Sequence, residues 1–410
     1  MKIWIKMVLA IILGALIGII VPDFIFKNKF VNIVSDLAVN SLLYLTLVYV
    51  LVKSYLGFLG LIKNKISKRA VSLLLLFIVI SVLFSILLSI GLMNINAFKI
   101  DTNFNQKTDR IIEPISIVNM LNNIINQNII SSFEGPVKYL IPIVFIAIIF
   151  AAASFFSDKK GLYFVDTVES FDVIFDKIVI QVLEYFAIGG IFVFASFVKS
   201  STFSYDNLAF IFKPLIAIII IMTILVIIYI FILSFFIKKR TGSFFVGYLG
   251  AGLMSFVTGN AASSIIILNE QIKNNIGVKK EISDSLTPIG FLLNKSGTVV
   301  VSTIVLMSII LIYTEDILDF KLQILFFILM FIYSLFLDGA NEKGFLILVA
   351  TILNINMLHL EQTGYLLFIA SLPLFSRLAI VIDTLSTSVI ITLVAKLTGN
   401  LEDKKYIEFI

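Results

Sequence analysis

The sequence predicts an all-α membrane protein with eight transmembrane helices and two re-entrant helical hairpins. Three observations lead to this fold class. Of the 410 residues, 60% are hydrophobic and 14% are charged, and the apolar residues form repeated runs of about 20, the length that spans a bilayer as a helix. Basic clusters separate these runs. Two later apolar stretches are interrupted by short polar segments, which a helix surrounded by lipid would not tolerate.

Composition also excludes several kinds of site. The chain has no cysteine and a single histidine, His359, so disulfides, zinc–thiolate sites, cysteine nucleophiles and multi-histidine metal sites are excluded. A membrane-embedded enzyme would need a nucleophile with a base, or a metal cluster. We therefore expect no enzyme, no cofactor and no resident metal. The net charge of +5 reflects basic loops between spans rather than affinity for nucleic acid.

Six apolar spans precede Thr241. In chain order they cover residues 3–21, 37–62, 71–93, 139–156, 165–198 and 208–237. Gly14 and Gly18 in the first span are four residues apart, a spacing that allows two helices to pack closely, although glycine is also simply tolerated in membrane helices. The polar stretch 94–136 between spans three and four predicts an external loop.

Basic residues accumulate in alternate loops, which sets the expected orientation. The clusters are Lys2 and Lys6; Lys63, Lys65, Lys68 and Arg69; Lys159 and Lys160; and Lys238, Lys239 and Arg240. By the positive-inside rule these loops face the cytoplasm. We therefore expect a multi-pass protein of the cytoplasmic (inner) membrane with both termini in the cytoplasm.

The pattern changes after Arg240. Residues 242–270 are apolar around a polar tip at 258–264, which predicts a hairpin that enters and leaves by the cytoplasmic face. Residues 282–312 form span seven, with breaks expected near Pro288 and at 294–298. Residues 320–357 predict a second hairpin with its tip at 338–344, and 365–396 form span eight. We expect both tips and the unwound segment 294–298 to meet near the midplane.

Ionisable side chains inside spans are the first candidates for a site, because they are costly unless paired or hydrated. Lys295 in span seven and Asp383 in span eight are such residues and could be partners; the alternative is a lysine that only holds the fold or reaches a hydrated cavity. Arg377 could line a site or extend toward the interface. Asn260, Ser263 and Ser264 are candidate tip residues. Outside the candidate set, we interpret Asp338, Glu342 and Lys343 as a solvated tip and His359 as a loop residue.

Several of these segments resemble the dicarboxylate/amino acid:cation symporter family, the glutamate and aspartate transporters. Asn294-Lys295-Ser296-Gly297-Thr298 is similar to the N-M-D-G-T of the family's broken seventh helix. Residues 185–192 resemble its fifth-helix L-A-P-I-G-V-F stretch, and residues 393–396 resemble the end of its eighth helix.

The resemblance implies an elevator-type transporter for a small-molecule solute, assembled as a homotrimer in the lipid bilayer. It implies that residues 1–200 are mainly scaffold (helices 1, 2, 4 and 5, with helix 3 joining the transport region) and that residues 201–410 are mainly transport region. The implied substrate-binding residues are Asn260, Ser263, Ser264, Thr298, Ser376, Arg377 and Asp383. The implied coupling residues are Asn294, Lys295, Ser296, Asp383 and Thr387.

The chain departs from the family pattern where the family holds charge. The family aspartate of N-M-D-G-T, a sodium ligand, is Ser296, and the family methionine is Lys295. The helix-eight positions that grip an acidic amino acid and sodium become Ser376, Ala379, Ile380, Asp383 and Thr387. We expect no high-affinity transport of aspartate or glutamate, and coupling to sodium or to protons stays open. The alternative is a degenerate, non-transporting or regulatory membrane protein of the same fold.

Overall fold

The computed structural model is all-helical and describes residues 2–21, 30–95, 140–157, 159–200, 208–237, 241–314, 319–336, 368 and 371–402. Within these ranges lie twelve α-helices and one π-helical turn, Ile272–Ile276, which follows α8. The helices are α1 (Ile3–Ile20), α2 (Phe30–Lys63), α3 (Ser67–Met93), α4 (Ile141–Phe156), α5 (Lys159–Ser200), α6 (Leu208–Ile237), α7 (Thr241–Thr258), α8 (Ala261–Gln271), α9 (Lys280–Leu293), α10 (Ser296–Thr314), α11 (Phe320–Phe336) and α12 (Leu372–Leu397).

Seven stretches of the described chain are helical, long and apolar enough to cross a membrane. They correspond to α1, α2, α3, α5, α6, the α9–α10 pair and α12, whereas α4 is a shorter apolar helix. Large apolar side chains lie on the outside of the molecule, such as Ile20 at 72% exposure and Phe231 at 69%. An apolar surface of this kind is matched to lipid.

The predicted spans agree best where the apolar run and the helix end together. Span six coincides with α6, and span one differs from α1 by one residue. Helix α2 begins at Phe30 rather than at residue 37, and α5 begins at Lys159 rather than at 165. Both helices extend beyond their apolar runs because helix ends are not marked by hydrophobicity alone.

Three details of the predicted C-terminal half are wrong. Pro288 lies inside α9 and does not break it. Only Asn294 and Lys295 separate α9 from α10, so Thr298 is helical rather than unwound. Helix α12 begins at Leu372 rather than at the predicted residue 365, with Pro373 in its first turn. Backbone N–H groups in the first turn have no partner within the helix, so proline, which lacks an N–H, costs no hydrogen bond there.

The helices pack in two groups, which meet mainly along α2 and α9 and along α1 and α7. Helix α1 lies along α5, and α2 lies against α4, α5 and α9, whereas α3 packs on α10 and α12 and α7 packs on α8 and α12. The predicted close packing of Gly14 and Gly18 is confirmed, since a Cβ added at them would lie 2.9 Å from Phe194 Cβ and 2.8 Å from Val198 Cβ on α5.

A second close approach joins α2 to α9. A Cβ added at Gly57 on α2 would lie 2.8 Å from the carbonyl carbon of Asp284 on α9. Glycine therefore allows the two backbones to touch. This contact brings the polar residues of α9 next to those of α2.

The second predicted hairpin is described only in its first arm, α11. Its predicted tip at 338–344, with Asp338, Glu342 and Lys343, lies outside the described residues, as do His359 and most of the predicted loop 94–136.

Candidate functional site

The first hairpin reverses direction at Gly259 and Asn260, between α7 and α8. Gly259 has φ +60°, a left-handed conformation that favours glycine. The Asn260 side-chain oxygen caps α8 by accepting from the Ala262 N–H at 2.9 Å. Ser263 Oγ donates to Thr258 Oγ1 and to the Asn260 carbonyl, both at 2.8 Å. The tip is thus a closed set of local hydrogen bonds.

The structure brings the predicted tip residues Asn260, Ser263 and Ser264 together. Ser264 Oγ donates to the Ala261 carbonyl at 2.8 Å, and both serines are fully buried. Their hydroxyl groups therefore form hydrogen bonds within the tip.

Arg377 on α12 holds this tip. Its Nη1 atom donates to the carbonyl oxygens of Phe256 and Val257, each at 2.5 Å. These carbonyls belong to the last turn of α7, where helical partners run out. The guanidinium also lies over the Phe197 ring of α5, 3.9 Å from its centroid, and a Cβ at Gly259 would come within 2.9 Å of Arg377 Cζ. Arg377 therefore connects α12, the first hairpin and α5.

Asn294 organises the break between α9 and α10. Its Nδ2 donates to Ser386 Oγ at 2.6 Å and to Thr387 Oγ1 at 2.9 Å, while its Oδ1 accepts from Ser296 Oγ at 2.6 Å. All four residues are fully buried. The predicted residues Asn294, Ser296 and Thr387 are thus brought together by direct hydrogen bonds.

Two hydroxyl residues that the sequence analysis missed extend this arrangement. Ser81 Oγ on α3 lies 2.8 Å from Ser296 Oγ and 3.3 Å from the Tyr229 hydroxyl on α6. The only signal in the sequence is a polar atom within each of two apolar spans. The break is therefore tied to α3 and α6 as well as to α12.

Asp383 on α12 accepts hydrogen bonds from the first turn of α10. Its Oδ1 accepts from the N–H of Gly297 at 2.6 Å and of Thr298 at 3.3 Å, and its Oδ2 accepts from Thr298 Oγ1 at 2.7 Å. A carboxylate is favourable at a helix N-terminus because free N–H groups and the helix dipole both attract it. Asp383 is 3% exposed.

Lys295 lies in the break itself and is 2% exposed. Its ammonium group attracts the Asp383 carboxylate through a Coulombic interaction. A buried cation and a buried anion offset each other's loss of hydration. A direct ion pair between these two groups stays a prediction.

The residues of this region do not fit the sodium ions that the resemblance implies. At the two positions where the family holds a sodium-binding carboxylate, Ser296 and Thr387 bear hydroxyl groups that already bond to Asn294. The remaining carboxylate, Asp383, accepts three hydrogen bonds from α10 and faces the charge of Lys295. A metal ion there would meet too few oxygen ligands and a like charge.

Helix α12 contacts both the hairpin tip and the break. Arg377 and Asp383 are six residues apart, which corresponds to about 9 Å along a helix. Next to Arg377, Ser376 Oγ donates to the Pro373 carbonyl of the same helix at 3.2 Å, and its predicted role in solute binding stays a prediction. The hairpin tip and the break thus contact different turns of the same helix, α12.

A second buried polar cluster, which the sequence analysis did not predict, lies where α2 and α5 meet α8 and α9. Lys53 on α2 is fully buried and forms salt bridges of 2.7 Å with Asp172 and with Asp176 of α5. Lys280 on α9 contacts Asp172 at 2.8 Å. A lysine within an apolar span and two aspartates four residues apart were the available signals.

The same cluster continues through neutral donors. The Tyr49 hydroxyl donates to Glu270 at 2.8 Å, and Asn269 Nδ2 donates to the Tyr49 hydroxyl at 2.8 Å and to Asp284 Oδ1 at 2.7 Å. Lys273 binds Glu270 at 2.6 Å. We call the following set the interface cluster: Tyr49, Lys53, Asp172, Asp176, Asn269, Glu270, Lys273, Lys280 and Asp284.

Comparison with known proteins gives the family. The family model described as the sodium:dicarboxylate symporter family matches residues 3–397, nearly the whole chain. No curated protein matches the chain. Proteins of this family are transporters rather than enzymes. The broken helix at Asn294 and Lys295, the hairpin tip held by Arg377 and the extent of the match lead to one conclusion: the chain belongs to the sodium:dicarboxylate symporter family.

Proposed function

We propose that the protein is a secondary transporter that moves a small organic solute, related to amino acids or dicarboxylates, across the cytoplasmic membrane by an elevator mechanism. The observation that carries this proposal is the attachment of the hairpin tip and the helix break to α12, through Arg377 and Asp383. Broken helices and hairpin tips at a shared buried position are typical of solute sites in secondary transporters.

Helix packing supports a division into two regions. Helices α1, α2, α4 and α5 contact one another and would form the scaffold, while α3, α6 to α10 and α12 contact one another and would form the transport region. The scaffold would assemble as a homotrimer, with both termini in the cytoplasm.

The solute is not expected to be aspartate or glutamate bound with high affinity. The family positions that hold the substrate ammonium and side-chain carboxylate are Ser376 and Ala379 here, and the nearby Arg377 donates to the carbonyls of Phe256 and Val257. Loss of a buried partner for a charged group costs about 2–5 kcal/mol. A neutral or differently charged solute fits these residues better.

We further propose that the Lys295 ammonium takes the place of a sodium ion beside Asp383. Transport would then be independent of sodium and be driven by protons or by the solute gradient alone. Ser296 and Thr387 stand at the two positions where the family has sodium-binding carboxylates, and their hydroxyl groups form hydrogen bonds with Asn294. Asp383 is therefore the carboxylate that remains beside Lys295, which supports this proposal.

Uptake into liposomes tests the proposed function. The purified protein is expected to take up a solute found by a thermal-stability screen, because a ligand that binds only the folded state stabilises it, and the uptake should be equal in sodium and in choline buffers. Saturable aspartate uptake at micromolar concentration would contradict the expected solute class. Stabilisation by a solute without any uptake would favour the non-transporting alternative.

Lys295 and Asp383 are expected to be coupled. Replacing Lys295 by methionine or Asp383 by asparagine should each lower stability and uptake, because each change leaves a buried charge without its counter-charge. The double variant Lys295→Met/Asp383→Asn should be less impaired than the sum of the two, which a double-mutant cycle of unfolding free energies measures. Additive losses, or uptake by the wild type that requires sodium, would refute the proposal.

A further inference from the structure

The interface cluster contains one more carboxylate than ammonium groups. Its ammonium groups belong to Lys53, Lys273 and Lys280, and its carboxylates belong to Asp172, Asp176, Glu270 and Asp284. The first three carboxylates each lie within 2.8 Å of an ammonium nitrogen. Asp284 forms no salt bridge with any residue that the structure describes. The excess negative charge is therefore located at Asp284.

Asp284 is also incompletely hydrogen-bonded. The side chain has no exposed surface, and its Oδ1 atom accepts from Asn269 Nδ2 at 2.7 Å. Its Oδ2 atom has no hydrogen-bond partner among the described residues. A buried carboxylate is strongly disfavoured in its ionised form unless a counter-charge or hydrogen-bond donors compensate it. A proton on Oδ2 removes the charge. We propose that Asp284 is a proton-binding site at the contact between α9 and α2.

The charges around Asp284 do not replace this proton. Lys53 and Lys273 attract the carboxylate, whereas Glu270 repels it, and Tyr49 faces it from α2. Both lysines act on Asp284 from a distance, because the direct contacts of Lys53 are with the two aspartates of α5 and that of Lys273 is with Glu270.

The other helices packed on α9 add no counter-charge. Helix α4 has no titratable residue, and the charged residues at the near ends of α3 and α12, namely Lys68, Arg69 and Lys396, are exposed. Asp284 is thus the carboxylate of the cluster that no ammonium group of the described residues contacts directly.

A cavity of about 440 Å³ gives the proton a route. Its polar and charged lining residues are Lys63, Asn64, Glu169, Lys280, Glu281 and Asp284. Lys63, Asn64 and Lys280 are exposed at helix ends, so the cavity opens at the surface, and Asp284 lies in its wall. A polar space of this size can hold water. Because the Asp284 side chain has no exposed surface, a small local movement of the lining would bring that water to the carboxyl group, where it exchanges the proton.

A metal ion fits this position less well than a proton. Thr287 Oγ1, three residues along α9, is another buried oxygen without a hydrogen-bond partner among the described residues. Together with Asp284 Oδ2 it makes two oxygen atoms available as metal ligands. Hard cations in proteins take about six or more oxygen ligands, and the ammonium groups of Lys53 and Lys273 would repel them. A proton needs one oxygen.

Loss of the proton would place a buried charge without a direct counter-charge between α9 and α2 and weaken their contact. A link between this step and movement of the transport region rests on the proposed function. Proton binding itself does not, since it can be measured on the purified protein.

Asp284→Asn tests the site, because asparagine imitates the neutral carboxylic acid. A folded chain that holds a proton which the unfolded chain releases loses stability as pH rises. The melting temperature of the wild type should therefore fall relative to that of Asp284→Asn as pH rises above about 4, where an aspartic acid of the unfolded chain releases its proton, by about 2 °C per pH unit until the folded chain has released it too. At neutral pH Asp284→Asn should be at least as stable as the wild type.

Asp172→Asn is the matched control, with the same substitution in the same cluster. Asp172 is 1% exposed and binds both Lys53 and Lys280, so its loss should destabilise the protein at every pH above about 4, where an aspartate of the unfolded chain is ionised as well. If Asp284→Asn is destabilised in the same way, or keeps the pH dependence of the wild type, the proposal is wrong. A melting temperature that depends on sodium at constant pH, in the wild type and not in Asp284→Asn, would assign a metal ion instead.

Infrared spectroscopy of the wild type keeps the test independent of the variant's folding. A protonated buried carboxyl group should give a C=O band that disappears as pH rises and that persists in Asp383→Asn. Absence of such a band would overturn the proton site. If the band is present but uptake is absent, the proton site stands and the proposed function fails; if uptake occurs and no band titrates, the reverse holds.

Discussion

Lys53→Met is expected to lower the free energy of unfolding by about 3–5 kcal/mol, the range seen when one partner of a buried ion pair is removed. Lys53 is fully buried and contacts both Asp172 and Asp176 at 2.7 Å. The substitution keeps most of the length of the side chain and removes its charge. It therefore leaves Asp172 with Lys280 as its partner and leaves Asp176 without an ion pair to any described residue. Unfolding of the detergent-solubilised protein measures the change.

Two further variants separate this effect from a general loss of lysine. Lys177→Met, at an exposed position on α5, should change stability by less than about 0.5 kcal/mol. Lys53→Met/Asp176→Asn should cost less than the sum of its single changes, because the double change removes both members of a pair. If Lys53→Met is as mild as Lys177→Met, Lys53 does not stabilise the contact between α2 and α5.

Gly297→Ala is expected to destabilise the protein by about 3 kcal/mol, the upper part of the usual range for an extra methyl group in a packed core. A Cβ at Gly297 would meet the Ala379 carbonyl oxygen and would lie 2.6 Å from Ile382 Cβ, both on α12. The helices would have to separate. Separation would also stretch the 2.6 Å hydrogen bond from the Gly297 N–H to Asp383, so solute binding should be lost together with stability.

Gly252→Ala provides the control on the same partner helix. A Cβ at Gly252 on α7 would come no closer than 3.7 Å to Leu385 of α12, an ordinary contact. Because alanine restricts the unfolded chain more than glycine does, this variant should be unchanged or more stable by about 0.5–1 kcal/mol. Equal stability of Gly297→Ala and Gly252→Ala would show that α10 and α12 can move apart at little cost.

The sequence was sufficient to predict the apolar helices and the position of the break between α9 and α10. Polar residues at 258–264 and 294–298 within apolar runs predicted a turn and an interruption, and the structure has them at Gly259–Asn260 and Asn294–Lys295. Their exact extent was not predictable. Pro288 and Thr298 lie in regular helix because neighbouring helices supply the packing that decides whether a polar or cyclic residue interrupts a buried helix.

The interface cluster shows what sequence reasoning left out. Lys53, Asp172 and Asp284 each stood in or beside an apolar run, which already indicates a functional or paired residue. Their pairing could not be predicted, because Lys53 is more than a hundred residues from Asp172 and more than two hundred from Asp284. Only the packing of α2 on α5 and α9, made possible by Gly57, brings them together.

The distribution of these polar interactions affects the rate at which α8 and α9 could slide past α2 and α5. Any sliding of α8 and α9 past α2 and α5 must break the Lys280–Asp172 ion pair and the Tyr49–Glu270 and Asn269–Tyr49 hydrogen bonds in one step, since all three cross the same boundary. Interactions that break in the same step add to a single activation barrier, and each 1.4 kcal/mol or so of barrier slows a step about tenfold. A protein built in this way would turn over slowly when cold and would accelerate steeply on warming.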